Sequence, residues 1–308
     1  MYHAKPLNKG DCDDGSPKQG NDVTGIRTSF SMIFAMAVTL WPFAASADFR
    51  KSDLKADPSG QFYCDETMDW CFGLAQKPSN AGEGHTPLLL VLRDGKEVTR
   101  QEIILGKRRD DGNGGWRKTG IWPHRFHDPQ RRGAFLMGIV TTTTVGYSGG
   151  GASVAMLSLI RVDPTPGNNP TGTPLVLGMV ATVPLEASKM IRACFSEQDV
   201  IDRHQVCHDE YDFEASITPL SDVGAQVGDD DAGQGNMPSL QYVARASRFP
   251  PNADLGTDSS VRPPLNKQEM VRAPDLACSF DAVFKFDRKT QLYETDIPIE
   301  GCETYLIP

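Results

Sequence analysis

The chain has 308 residues and a formal net charge of −9, because 40 Asp and Glu outnumber 31 Lys and Arg. A net negative chain has no electrostatic attraction for phosphate backbones or anionic lipids, which argues against nucleic-acid binding and against a role at a membrane surface. Its 29 glycines and 22 prolines indicate many turns, while an apolar fraction of 39% still supports a buried core.

Residues 31–47 have the pattern of a secretory signal. Their apolar stretch, residues 32–43, is followed by Ala45-Ser46-Ala47, the small-residue motif after which signal peptidase cuts. The stretch has about a dozen residues, whereas a membrane-spanning helix needs about 20. The segment therefore predicts export to the periplasm or the medium, with no membrane span after cleavage.

The polar residues 1–28 are too long and too acidic for the front of an ordinary signal peptide. They indicate a mis-assigned N-terminal extension, with Val23 or Met32 as an alternative first residue. We expect residues 1–47 to be removed and the mature chain to begin at Asp48. Intact mass of the exported protein measures this directly.

After the leader, apolar and polar residues mostly alternate with the two-residue period of β-strands. Asp94-Gly95 separates the runs 86–93 and 96–105, and it suits a type I′ hairpin turn because both central residues need positive φ. Further strands are predicted at 134–145, 153–162, 175–183, 210–218, 240–246, 280–287 and 292–297. The pattern predicts a mainly β, single antiparallel domain over 48–308, built as a β-sandwich, barrel or propeller with long loops and at most two short helices.

One segment, residues 185–204, fits both a helix and a strand. It follows Pro184 and places several apolar residues on one helical face, which favours a helix for its start. The run 190–195 suits a strand as well, so the choice stays open. Three segments rich in Pro, Gly, Asn or Asp are predicted loops: 163–172, 221–239 and 250–264.

Removal of the leader takes Cys12 away and leaves six cysteines. An even number in an oxidising compartment predicts three disulfides. Each cysteine has a neighbour along the chain across a segment that suits a hairpin or turn, which gives the pairs Cys64–Cys71, Cys194–Cys207 and Cys278–Cys302. Metal binding is the alternative, but the chain has no Cys-x₂-Cys spacing.

Ser148 lies in a G-x-S-x-G run, the pattern of the nucleophile turn in α/β-hydrolases. Acidic and basic partners follow it in the required order: Asp199 or Asp202, then His204 or His208. Against catalysis, the residues before Ser148 predict hairpins instead of βαβ units, and a Gly-rich hairpin turn explains the same glycines. We therefore expect no catalytic residue and no enzymatic activity, and a serine hydrolase is the alternative.

Three groups have the residue types of metal ligands: His124 with His127, His204 with His208, and Asp229 to Asp231. The second pair has the spacing of zinc ligands on a helix, but it flanks Cys207 and lacks the further glutamate of zinc proteases. Three adjacent aspartates point in different directions and lack the EF-hand spacing. We expect no metal and no cofactor.

Four aromatic residues form the predicted binding face: Trp116, Trp122, Phe126 and Tyr147. They lie in or beside polar, Gly-containing stretches that predict loops. Aromatic side chains on loops form binding faces with polar rims, and they also commonly close the open end of a β-core. We expect a non-catalytic binding or envelope-associated protein whose partner is a protein or an envelope ligand. A purely structural envelope protein is a further alternative.

Overall fold

The computed structural model describes residues 49–77, 87–103, 115–127, 133–164, 175–220, 237–254, 256–257, 261–295 and 302–306. Most of them belong to strands of two antiparallel sheets, so the predicted mainly β class is confirmed. Neither sheet closes into a barrel within these ranges. The predicted leader and the run Asp229 to Asp231 lie outside the described residues.

In chain order the strands are β1 (Arg50–Asp53), β2 (Lys55–Ala56), β3 (Phe62–Cys64), β4 (Trp70–Gln76), β5 (Pro87–Arg93), β6 (Lys96–Glu102), β7 (Trp116–His127), β8 (Phe135–Tyr147), β9 (Gly150–Asp163), β10 (Leu175–Arg192), β11 (His208–Pro219), β12 (Leu240–Phe249), β13 (Ala273–Pro274), β14 (Phe280–Asp287) and β15 (Leu292–Thr295). Helix α1 is Glu197–Asp202 and helix α2 is Glu303–Leu306, and short 3-10 helices cover Lys267–Glu269 and Leu276–Cys278.

The large sheet has the strand order β1-β7-β8-β9-β10-β11-β12-β14-β15, with β13 paired to β12. The small sheet has the order β2-β3-β4-β5-β6. Most neighbours in these orders are also neighbours along the chain, so the sheets are built largely from hairpins. The predicted turn between β5 and β6 is confirmed, since Asp94 has φ 50° and Gly95 has φ 72°.

Two apolar clusters form the core. One cluster joins the two sheets, because Phe72 and Leu89 of the small sheet pack with Met137 and Ile160 of the large sheet. The two sheets therefore share one apolar cluster. The larger cluster belongs to the large sheet and α2, and contains Phe213, Leu240, Tyr242, Phe284 and Tyr305 among its members.

The helix favoured for the start of residues 185–204 is wrong. Strand β10 continues to Arg192, and only Glu197–Asp202 is helical. Ala187 pairs with Val154 on one side and Phe213 on the other. Hydrogen bonds between strands therefore satisfy the backbone N–H and C=O groups that a helix would otherwise satisfy. A register shift between Pro184 and Glu186 accommodates the proline, so the strand continues past it. Pairing on both sides thus outweighs the local helical pattern.

All three predicted disulfides are present. Cys64–Cys71 joins the paired strands β3 and β4, Cys194–Cys207 closes the segment that contains α1, and Cys278–Cys302 links a 3-10 helix to the start of α2. Each closed loop restricts the unfolded chain and contributes about 2–3 kcal/mol in the chain-entropy model. Three such bonds indicate an oxidising, extracytoplasmic environment.

Candidate binding surface

The structure separates the four aromatic residues of the predicted binding face. Trp122 and Phe126 are 7% and 0% exposed, and they pack edge to face with 5.4 Å between ring centroids. Both belong to the larger core cluster. Their stretch is strand β7, not a loop. They therefore fit the alternative interpretation, in which the aromatics close the β-core.

Trp116 and Tyr147 are exposed, by 81% and 42%. They lie at the same end of the large sheet, because Trp116 pairs with Thr144, three residues before Tyr147. The Tyr147 hydroxyl donates to the carbonyl oxygens of Gly151 and Met190, at 3.3 and 3.1 Å. Burial raises the pKa of Tyr147, so the hydroxyl stays a neutral donor at physiological pH. This hydrogen bonding holds one exposed aromatic ring in place.

Residues 194–207, closed by the Cys194–Cys207 disulfide, form a segment that we call the knuckle. It carries α1, and none of the residues of α1 is buried. Phe195 and Ile201 are 62% and 65% exposed, and Val200 is exposed too. Of the residues that suggested one helical face, Ala187 and Cys194 are buried, whereas Ile201 faces solvent. Sequence reasoning missed this surface, and its one signal was an apolar run inside a cysteine-bracketed segment.

The start of α1 is capped. The Ser196 hydroxyl accepts from the Asp199 N–H at 3.1 Å, and the Asp199 carboxylate accepts from the N–H groups of Phe195 and Ser196, both at 2.8 Å. These backbone hydrogen bonds, that from Phe195 foremost, lower the pKa of Asp199. A cap of this kind contributes about 1 kcal/mol. The cap also fixes the backbone at Phe195.

The end of α1 is anchored in the protein by buried charges. The Arg203 guanidinium donates to the Val206 carbonyl at 2.9 Å and to the Asp209 carboxylate at 2.6 Å. Arg262 donates to the other oxygen of Asp209 at 2.7 Å. All three side chains are nearly inaccessible to solvent. One buried carboxylate therefore ties the base of the knuckle to the segment that contains Arg262.

The chain leaves α1 through two consecutive left-handed residues, His204 with φ 49° and Gln205 with φ 70°. Non-glycine residues seldom adopt this region, and each such residue costs on the order of 1–3 kcal/mol. The Gln205 N–H donates to the Val200 carbonyl at 2.8 Å, which helps to hold the turn. Strain of this kind clusters at functional sites, so it is a second feature that singles out the knuckle.

The knuckle meets the turn between β8 and β9 through β10. The Arg192 guanidinium lies 5.3 Å from the centroid of the Phe195 ring and donates to the Cys194 carbonyl at 2.7 Å. A Cβ placed on Gly150 would lie 2.1 Å from the Met190 carbonyl oxygen, so only glycine permits this approach. We call the exposed apolar side chains of these segments the knuckle surface: Tyr147, Met190, Phe195, Val200 and Ile201.

Ser148 lies in the two-residue turn between β8 and β9, as expected for a hairpin turn. In the described part of the chain no hydrogen bond joins it to a histidine. His208 begins β11, where it pairs with Arg192, and His204 is in the strained turn of the knuckle. Among the described residues Ser148 thus lies in a strand-to-strand turn without a hydrogen-bonded histidine, whereas the nucleophile of an α/β-hydrolase lies in a strand-to-helix turn beside a base.

The two histidines considered as a candidate metal-ligand pair, His124 and His127, have other partners. His124 Nδ1 lies 2.7 Å from the Asp53 carboxylate, and His127 Nδ1 lies 3.2 Å from the Ser52 hydroxyl. Both contacts join β7 to β1 at the edge of the large sheet. Among the described residues, no three His, Cys, Asp or Glu side chains come together in a way that could hold a metal ion.

Replacing Ser148 by alanine should leave any binding or activity of the protein unchanged, and fluorophosphonate probes should not label the wild type. A serine hydroxyl is weakly nucleophilic unless a base lies within hydrogen-bond reach. Mass spectrometry of the probe-treated protein measures this. Stoichiometric labelling at Ser148 that His208→Ala abolishes would establish the hydrolase alternative instead.

No protein-family model matches the chain, and no curated protein or solved structure is significantly similar to it. The described residues include no helix that is both long and apolar enough to cross a membrane.

Proposed function

We propose that this protein is an exported, non-catalytic binding protein that holds a protein partner on the knuckle surface. One observation carries the proposal: α1 buries none of its residues, yet it is capped, closed by a disulfide and anchored by a buried ion pair. Six residues are too few for a helix that is stable in isolation. The surrounding structure therefore stabilises a short helix whose apolar side chains contribute nothing to the core.

The composition of the knuckle surface supports a macromolecular partner. A soluble protein gains nothing from exposing neighbouring apolar side chains, and such patches commonly mark interaction sites. Aromatic residues held in place lose little conformational entropy on binding, which makes Phe195 and Tyr147 suitable central contacts.

Two features support export as the setting. The three disulfides need an oxidising compartment, and residues 31–47 have the pattern of a cleaved secretory signal. We propose that the mature chain, 48–308, is one domain and works in the periplasm or the medium. Its partner then belongs to the same compartment or to the cell envelope.

Site-specific photo-cross-linking tests the proposed function. A benzophenone side chain placed at Phe195 or Ile201 should give one discrete adduct when the exported protein is irradiated in its own compartment. The matched control is Leu276, which is 79% exposed but lies in a 3-10 helix outside the knuckle. Phe195→Ala should lower the yield at position 201 at least about tenfold, the loss expected for a central contact. No adduct, or equal adducts at 195 and 276, would contradict the proposal.

A further inference from the structure

We infer that the partner presents an apolar centre bordered by lysine or arginine side chains. This inference rests on the proposed function and concerns the partner that the knuckle surface selects. It follows from the charges that surround the exposed apolar residues. The proposed function rests on the exposure of those residues and does not depend on the charges.

The ionisable groups of α1 are all acidic. Glu197 and Asp199 lie in its first turn, Asp202 ends it, and its last turn has no basic residue. The pKa of Asp199 is lowered by the hydrogen bonds of the cap, so its carboxylate stays ionised well below neutral pH. Glu197 is exposed and belongs to no ion pair among the described residues. The border of the apolar patch is therefore negative on the helix side.

Three cationic side chains lie near this border: Arg203, Arg192 and Lys267. The charge of Arg203 helps to lower the pKa of Asp199, but Arg203 is buried and paired with Asp209. Arg192 is engaged within the surface, where it covers the Phe195 ring and donates to the Cys194 carbonyl. The Leu265 N–H donates to the Asp202 carbonyl and brings a neighbouring segment to α1, but that segment adds Lys267 and Glu269, whose charges cancel. The whole chain carries a formal charge of −9 in addition.

A negative border around an apolar centre has a physical consequence for partner choice. Complementary charges accelerate encounter and exclude partners of like charge, whereas the apolar contacts supply most of the affinity. An anionic lipid surface and an acidic protein are both repelled by this border. A protein with a basic border is attracted, and the attraction weakens as salt screens it over about 10 Å at 0.1 M.

Two synthetic amphipathic helical peptides serve as the probe, with the same leucine and phenylalanine face and either a lysine or a glutamate border. The mature protein should bind the lysine peptide at least about tenfold more tightly than the glutamate peptide at low salt. Ile201→Asp should abolish binding of the lysine peptide, because it places a charge in the apolar centre. Isothermal titration or fluorescence anisotropy measures both effects.

Glu197→Lys combined with Asp202→Lys should reverse the preference, while Asp199 is kept because it caps α1. The matched control, Glu66→Lys with Glu294→Lys, changes net charge equally at exposed positions outside the knuckle and should keep the preference. Equal binding of the two peptides, binding of neither, or reversal by the control would overturn the inference. Adducts at Phe195 together with equal peptide binding would leave the proposed function standing and refute only the basic border.

Discussion

Replacing Asp209 by asparagine should lower the free energy of unfolding of the mature protein by about 3–5 kcal/mol. The Asp209 side chain is only 3% exposed and bridges Arg203 and Arg262, whose side chains are 5% and 8% exposed. Without the carboxylate, two buried guanidinium groups face each other with no negative charge between them. Removing one member of a buried ionic group is costly because the remaining charge cannot return to water. Urea unfolding of the exported protein, with disulfides intact, measures the change.

The matched control for Asp209 lies beside it in the same strand. Asp212 is half exposed and pairs with Arg272, which also pairs with Glu210. Asp212→Asn should change the free energy of unfolding by no more than about 1 kcal/mol, because solvent screens an exposed ion pair. A loss below 1 kcal/mol in Asp209→Asn would mean that the buried group is not what anchors the knuckle.

Much of the fold is predictable from sequence because short-range physics determines it. Alternating apolar residues predicted the strands that became β8, β9, β11, β12 and β14, and the match for β14 extends to both ends. Asp94-Gly95 predicted its turn because few residue pairs accept two positive φ angles. The three disulfides followed from proximity along the chain, since each pair brackets a turn.

The candidate site was not predictable because exposure is a property of the tertiary structure. Phe195, Val200 and Ile201 are apolar side chains of a kind usually buried in a core, yet they face solvent in the segment that Cys194–Cys207 closes. The end of β10, from residue 185 onward, was misjudged for a related reason. Its helical pattern is real, but pairing with β9 and β11 stabilises a strand that local propensity does not favour.

Trp122→Ala should destabilise the protein by about 3–5 kcal/mol, whereas Trp116→Ala should change its stability by no more than about 0.5 kcal/mol. Both residues belong to β7, and both were predicted to form one binding face. Comparing the two variants therefore distinguishes an aromatic binding face from aromatic residues that close the β-core. Trp122 packs against Phe126 and Gly138, where a Cβ would lie 2.8 Å from the Trp122 Cβ. Its removal therefore leaves a cavity in the larger core cluster, whereas Trp116 is 81% exposed and belongs to neither core cluster.

Thermal and urea unfolding of the two alanine variants measure this difference directly. Photo-cross-linking from position 201 compares the same two variants in partner binding. The cross-linking yield should be retained in Trp122→Ala molecules that remain folded at low temperature. The same yield should fall in Trp116→Ala only if the partner reaches past Tyr147 to the start of β7. Equal destabilisation by the two changes would place Trp116 in the core. It would also mean that neither tryptophan of the predicted binding face is available to a partner.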